Sequence, residues 1–212
     1  MTTRFGVLVS GSGTNLAALI DAAAKPGGLA EIAVVISNKA DAYGLERAQK
    51  AGIPAVHIGH HGKDRASFDQ EIVDCLIEHG VEWVLLAGFM RIVTPTLLDG
   101  FPGRVINIHP ALLPSFPGTR GQRQAFEANV PIAGATVHFV SAETDAGPII
   151  AQGAVLRAHG DTLDSFTERI LAIEHRLFPM VMAWAAAGRV RLEDGRAVVD
   201  LLEGERRGLW GG

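Results

Sequence analysis

The sequence is poor in the residues that most directly announce a chemistry. Cysteine occurs once, at Cys75, in 212 residues. That excludes an intrachain disulfide and a cysteine-based zinc cluster, and it sets the expectation of a reducing, cytoplasmic location. Tyrosine also occurs once, and aromatic residues make up only 6% of the chain. No apolar run approaches the roughly 20 residues of a membrane span. The opening MTTRFGVLVSGSG is too weakly apolar around Arg4 to be the core of a signal peptide, and it reads as a first strand. Charge of either sign is scattered and sums to only −4, so there is no electrostatic footprint for nucleic acid or an anionic membrane. What is abundant is apolar surface: 48% of the residues are hydrophobic, ample for a sizeable core.

Short β-branched runs alternate with longer segments of helical period, the pattern of a parallel sheet wrapped by helices. Strands are expected at 4–10, 31–37, 54–58, 81–88 and 104–109. Helices are expected at 15–25, 43–52, 65–80 and near 94–99, with Phe68, Ile72, Cys75 and Leu76 facing inward on the third. After residue 130 the grammar changes. GATVHFV (134–140) and GPIIAQGAVLRA (147–158) alternate across the acidic loop SAETDAG, which predicts antiparallel pairing. A long helix follows, with Phe166, Ile170, Ile173, Leu177, Val181 and Trp184 at helical spacing. A terminal hairpin turns at Asp194-Gly195, and the tail GERRGLWGG is expected to be mobile. The fold class is therefore α/β: a doubly wound, mostly parallel sheet with a mixed C-terminal extension, in one domain over 1–212. Its N-terminal half runs to about 103, a second half covers about 104–190, and the hairpin and tail occupy 189–212.

Between the first strand and first helix stands SGSGTN (10–15). Glycines there let backbone N–H groups approach an anion, and the helix N-terminus adds its positive end. The dinucleotide fingerprint is only half met, because Leu16 occupies the place of the third glycine. The second strand ends in Ser37-Asn38 rather than the acid that would bind a ribose, which excludes a nicotinamide dehydrogenase. A single phosphate suits the loop better, and a plain tight turn without a ligand stays open at this point.

VINIHP (105–110) runs straight into ALLPSFPG. Asn107 and His109 are two apart on an extended segment, so their side chains share a face. They stand where an open α/β sheet collects ligands. Asp145, in TDAG, adds a carboxylate from the loop between the later strands. There is no seryl elbow, and Cys75 lies mid-helix, so covalent catalysis lacks a nucleophile. An amide and an imidazolium can instead stabilise an oxyanion formed by direct attack, with the carboxylate favouring the charged imidazole. The plain alternative is a strand end with a polar turn.

The pieces VSGSGTNL, SNKADAYGLERA, LAGFMRIV, NIHPALLPSFPG, GATVHFV, DAGPII and EHRLFP, in this order and spacing, resemble the phosphoribosylglycinamide formyltransferases of purine synthesis. The resemblance runs from about residue 4 to 190 and implies a formyltransferase-like fold with 10-formyltetrahydrofolate as co-substrate and no metal. It implies that Gly13, Thr14 and Asn15 hold the phosphate of 5′-phosphoribosylglycinamide and that Glu174 binds its ribose. It assigns the folate to Arg65, Met90, Arg91, Ile92 and Val93, to Asn107, and to the loop Ser141, Ala142, Glu143, Thr144 and Asp145. Asn107, His109 and Asp145 match the family's catalytic trio. Partners are then small molecules only, with neither nucleic acid nor membrane, and the chain is a monomer or homodimer.

Two stretches depart from the family pattern. Thr119, Arg120, Gly121 and Gln122 replace a histidine-containing stretch in an expected lid, and Leu171 stands where a polar nucleotide partner is common. The related alternatives are a formyltetrahydrofolate hydrolase and a transfer RNA formyltransferase. These carry an extra N-terminal regulatory domain and a C-terminal RNA-binding domain respectively, whereas this chain opens directly on its first strand. A non-catalytic nucleotide-binding module is opposed by the presence of all three trio residues. His57, His60 and His61 fit no metal-ligand spacing and are expected in an exposed loop. His79 is expected at a helix end, and His159 and His175 on the surface. His138 alternates with Val137 and Phe139 and faces either the site or a polar layer.

Overall fold

In a computed structural model, residues 2–211 are described. The chain forms two compact units, Met1–Asn107 and Ile108–Gly212. The first is a parallel sheet built from β1 (Thr3–Val9), β2 (Ala30–Ser37), β3 (Ala55–His57), β4 (Trp83–Leu86) and the start of β5 (Val105–His109), in the order β5-β4-β1-β2-β3. Helices α1 (Thr14–Ala23), α2 (Tyr43–Lys50), α3 (Arg65–Glu78) and α4 (Pro95–Gly100) cover it. Strands β1, β2 and β4 are near-continuous apolar runs because both faces are covered: Val7, Leu8, Val34, Val35 and Leu85 have no exposed surface. Parallel pairing brings the carboxyl ends of β1 and β4 side by side, with Leu8 opposite Leu86. The turns that follow these strands therefore share one edge.

Helix α3 corrects one expectation. Its buried residues are Phe68, Asp69, Ile72, Val73 and Leu76, while Cys75 is only half-buried. The inward face is rotated from the expected one and carries a carboxylate.

In the second unit, β6 (Ile132–Phe139) and β7 (Ile149–Leu156) pair antiparallel as expected, with a register shift at Val137/His138. The long helix α6 (Leu163–Ala186) packs on both strands. Each of its six predicted apolar positions, from Phe166 to Trp184, is buried. The helix opens on a capping box, in which the Thr162 hydroxyl accepts the Ser165 N–H and the Ser165 hydroxyl accepts the Thr162 N–H. β8 (Val190–Glu193) and β9 (Arg196–Val199) form the terminal hairpin around Asp194 and Gly195, both at positive φ.

Two features differ from expectation. Residues 121 and 122, assigned to a mobile lid, open a short helix, α5 (Gly121–Glu127). The tail forms β10 (Gly208–Gly211), which pairs parallel with β7, while the Arg207 guanidinium donates to the carbonyls of Ile149 and Ile150. Backbone pairing and an arginine clamp hold it, and neither needs the apolar alternation that marks a strand in a sequence.

The β6–β7 pair is close enough to be tested at Gly134, where an added Cβ would lie 1.8 Å from the Gly153 carbonyl oxygen. Gly134→Ala is expected to lower the unfolding free energy by at least ~2 kcal/mol, because backbone rather than a flexible side chain must move. Urea denaturation checks this, and an unchanged midpoint would contradict the close approach.

Candidate active site

In the first unit, the glycine loop leaves β1 at Ser10 and enters α1 through Gly13, whose φ of 66° is the left-handed conformation. An added Cβ there would meet the Gly44 Cα at 2.8 Å, so this residue must be glycine for two independent reasons. No side chain caps α1, which leaves its first-turn N–H groups directed at whatever occupies the loop. A pocket of about 220 Å³ lies there, lined by Ser10 to Asn15 together with Ala87, Gly88 and Met90. Three of the residues assigned to phosphate (Gly13, Thr14 and Asn15) and one assigned to folate (Met90) thus line one cavity.

The far wall of this pocket is held by hydrogen bonds from beneath. The Met90 N–H donates to Ser10 Oγ at 2.8 Å, and that hydroxyl donates to Asn38 Oδ1 at 2.6 Å. Ser10 and Asn38 are both buried. Met90 and Ile92 project their apolar side chains outward, 62% and 55% exposed, whereas Val93 is buried. The Arg91 guanidinium carbon lies 5.1 Å from the Phe68 ring centroid, a cation–π contact that occupies the side chain. Arg65 is exposed at the start of α3 and is not among the residues lining the pocket.

In the second unit, His109 ends β5 with 4% of its side chain exposed. Its Nε2 lies 2.9 Å from the Phe116 carbonyl oxygen. A carbonyl only accepts, so Nε2 carries a proton. Its Nδ1 lies 3.4 Å from Asp145 Oδ2, whose carboxylate is 11% exposed and also accepts the Gly118 N–H at 2.7 Å. Acceptors thus face both ring nitrogens. Asn107, two residues earlier on the same extended strand, shares a face with His109 by the alternation of the pleat.

The proline-rich segment after His109 is bolted to the β6–β7 pair. Thr136 Oγ1 accepts the Leu113 N–H at 3.0 Å and donates to the Ala111 carbonyl at 2.7 Å, while Gln152 Nε2 donates to the Leu113 carbonyl at 2.9 Å. Gly121 lets α5 close against the same segment, since an added Cβ would meet the Pro110 and Phe116 carbonyl oxygens at 3.2 Å.

His138, left between two roles by the sequence, belongs to this cluster. It is 2% exposed, and its Nε2 lies 3.8 Å from Asp145 Oδ1. Burial holds its pKa below the usual histidine value, and the charge of His109 acts in the same direction. A bond to the Phe139 carbonyl and the charge of Asp145 oppose the shift. His138 is therefore held toward its neutral form.

Of the other assigned residues, Ser141 is half-buried with its hydroxyl donating to the Glu143 carbonyl, and Ala142, Glu143 and Thr144 are exposed. Glu174 is buried on α6, and Leu171 is half-buried. His57 and His159 are exposed; His60 stacks at 4.3 Å from His61 and at 6.1 Å, edge on, from Phe68. His79 ends α3 as expected, and His175 is half-buried rather than at the surface. Burial and the Glu78 charge push the Cys75 thiol up, which keeps it from acting as a nucleophile. Among the described residues, no group of three or more His, Cys, Asp or Glu is placed to hold a metal ion, and no helix is long and apolar enough to cross a membrane.

The first unit carries a glycine-loop pocket and the second an imidazole–carboxylate pair, and comparison with known proteins gives the class. The chain belongs to the formyl transferase family, which it matches over residues 3–182. Within that family it falls with the phosphoribosylglycinamide formyltransferases. It is 42% identical to the Escherichia coli enzyme of that name over 196 residues, covering 92% of either chain. The crystal structure of glycinamide ribonucleotide transformylase 1 from Symbiobacterium toebii superposes with a TM-score of 0.90 at 48% identity, over 93% of this chain and 94% of that one. A trifunctional purine biosynthetic protein of Bos taurus is also 48% identical over 195 residues, and there the chain spans only 19% of its relative's length.

The His138 environment sets a pH dependence. A histidine whose folded pKa is depressed takes up protons more readily when unfolded, so stability is full above about 6.5 and falls as pH drops below it toward the folded value. Urea unfolding at about pH 7.5 and about pH 5 is expected to show a smaller acid loss for His138→Gln than for the parent chain. Equal losses would contradict a buried neutral His138.

Proposed function

We propose that this chain transfers the formyl group of 10-formyltetrahydrofolate to the amine of 5′-phosphoribosylglycinamide, as a cytoplasmic enzyme of purine biosynthesis. The observation that carries the reading is the buried His109–Asp145 pair, at 3.4 Å, on a strand end that also bears Asn107. An amine needs no enzyme nucleophile. It attacks the formyl carbon directly, forming the new C–N bond and placing negative charge on the formyl oxygen. Collapse of that intermediate breaks the bond to folate N10, and the proton lost by the amine ends on N10.

The oxyanion is where the enzyme acts. The His109 Nε2–H, which faces the Phe116 carbonyl, donates to the formyl oxygen when substrate is bound, and the Asn107 side-chain amide donates beside it. Asp145 stabilises the imidazolium and stands ready to accept the amine's proton, directly or through a water. The neutral His138 does not compete for the carboxylate. Gly13, Thr14 and Asn15 hold the ribonucleotide phosphate at the α1 N-terminus, and Glu174 takes its ribose hydroxyls. Met90, Ile92 and Val93, with the backbone at Arg91, receive the folate ring, Arg65 its acidic tail, and the 141–145 loop closes over it.

An assay with the ribonucleotide present and omitted tests this. Deformylated folate is expected only when the ribonucleotide is present; formation in both reactions would mean hydrolysis, and in neither, a binding module. His109→Ala is expected to lower kcat at least ~10²-fold, the scale of losing an oxyanion donor or general acid. Asp145→Asn is expected to cost a similar factor. Near-parental rates in either variant would overturn the assigned roles.

A further inference from the structure

Asp69 is a buried carboxylate that the chemistry above does not use. It is 2% exposed on the inner face of α3. Burying a carboxylate is costly unless its oxygens are bonded. Here Oδ2 accepts both the Thr94 N–H and, at 2.8 Å, the Thr94 hydroxyl. Thr94 is the residue at which the segment after β4 enters α4. An exposed helix start needs no such partner, because a threonine at the cap can serve itself. The carboxylate anchors the segment leading up to Thr94 from below.

That segment is gripped at three places. Its start is fixed at Met90 by Ser10 Oγ, its middle at Arg91 by the Phe68 ring, and its end at Thr94 by Asp69. Phe68 and Asp69 are adjacent on α3, so one turn of helix holds both the middle and the end. Along this segment the Met90 and Ile92 side chains stand out into solvent, and Met90 lines the glycine-loop pocket. Exposed apolar side chains on a firmly held segment at a pocket wall are the arrangement of a ring-binding ledge.

We infer that Asp69 is a positioning residue for the folate, setting the height of the Met90–Val93 ledge through Thr94 without touching the ligand. The inference rests on the assignment of that ledge to folate in the proposed function. It predicts a loss confined to one substrate, because the glycine loop that would hold the ribonucleotide phosphate is anchored on Ser10 and Gly13 and not on Asp69.

The test measures binding of folic acid, which cannot donate a formyl group, by titration calorimetry, together with the KM for each substrate. Asp69→Ala is expected to weaken folic acid and raise the folate KM by ~10-fold, the scale of a misplaced supporting residue. The ribonucleotide KM should move less than ~2-fold. Asp69→Asn keeps an acceptor and should restore most of the affinity. Thr94→Val removes only the hydroxyl bond, so it should show the same one-sided loss at ~3-fold even if the alanine variant does not fold. A parent chain that binds no folate overturns the proposed donor and this inference together. A parent that binds, with variants that bind equally well or lose both substrates alike, overturns the inference alone.

Discussion

A nearly buried carboxylate has to be answered from every side, and in the C-terminal unit Asp145 sets that demand. One oxygen takes the Gly118 N–H and faces the His109 ring, and the other faces His138. Removing a charge from water costs several kcal/mol unless partners replace the solvent. Here the partners come from three separate pieces of chain. Each must therefore be held in place: β5 by its ladder, the proline-rich segment by Thr136 and Gln152, and β6, which carries His138, by its antiparallel pairing with β7. These supports preorganise the polar centre, which is what the proposed oxyanion stabilisation requires.

The N-terminal unit solves a different problem with different means. In the proposed function an anion is met there by backbone, so what matters is the path of the chain rather than the chemistry of side chains. Gly13 in the left-handed region and the close approach of Gly44 bring the α1 N-terminus to the mouth of a pocket. Ser10 and Asn38, both buried, tie the ends of β1 and β2 to the Met90 segment. Parallel pairing places all of these at one sheet edge, so the topology itself gathers the site.

How much of this was legible depended on whether a residue's role left a period in the sequence. Elements that bury a face did so: the apolar stripe of α6 predicted its buried positions, and the two runs flanking the acidic loop predicted the pairing of β6 with β7. Strands covered on both faces lost that information. His138 is as buried as Val137 and Phe139 on either side of it, so alternation could not say which way it pointed. Asp69 was missed because its partner, Thr94, lies 25 residues away, and no local pattern marks a carboxylate turned inward. β10 was missed because Leu209 and Trp210 stand alone between glycines, too short a run to show alternation; its order comes from β7. Asn107, His109 and Asp145 are proposed from chemistry, from residue types placed at a strand end and in a loop, rather than from any periodicity.

The central claim is that formyl passes directly from folate to the ribonucleotide amine beside His109, with no stop on the protein. A single turnover with isotopically labelled 10-formyltetrahydrofolate, quenched and analysed by mass spectrometry, follows that carbon atom. The account predicts label in the ribonucleotide product and none on the chain, with the signal lost in His109→Ala. Label retained on the protein, or released as formate while the ribonucleotide stays unlabelled, would contradict it.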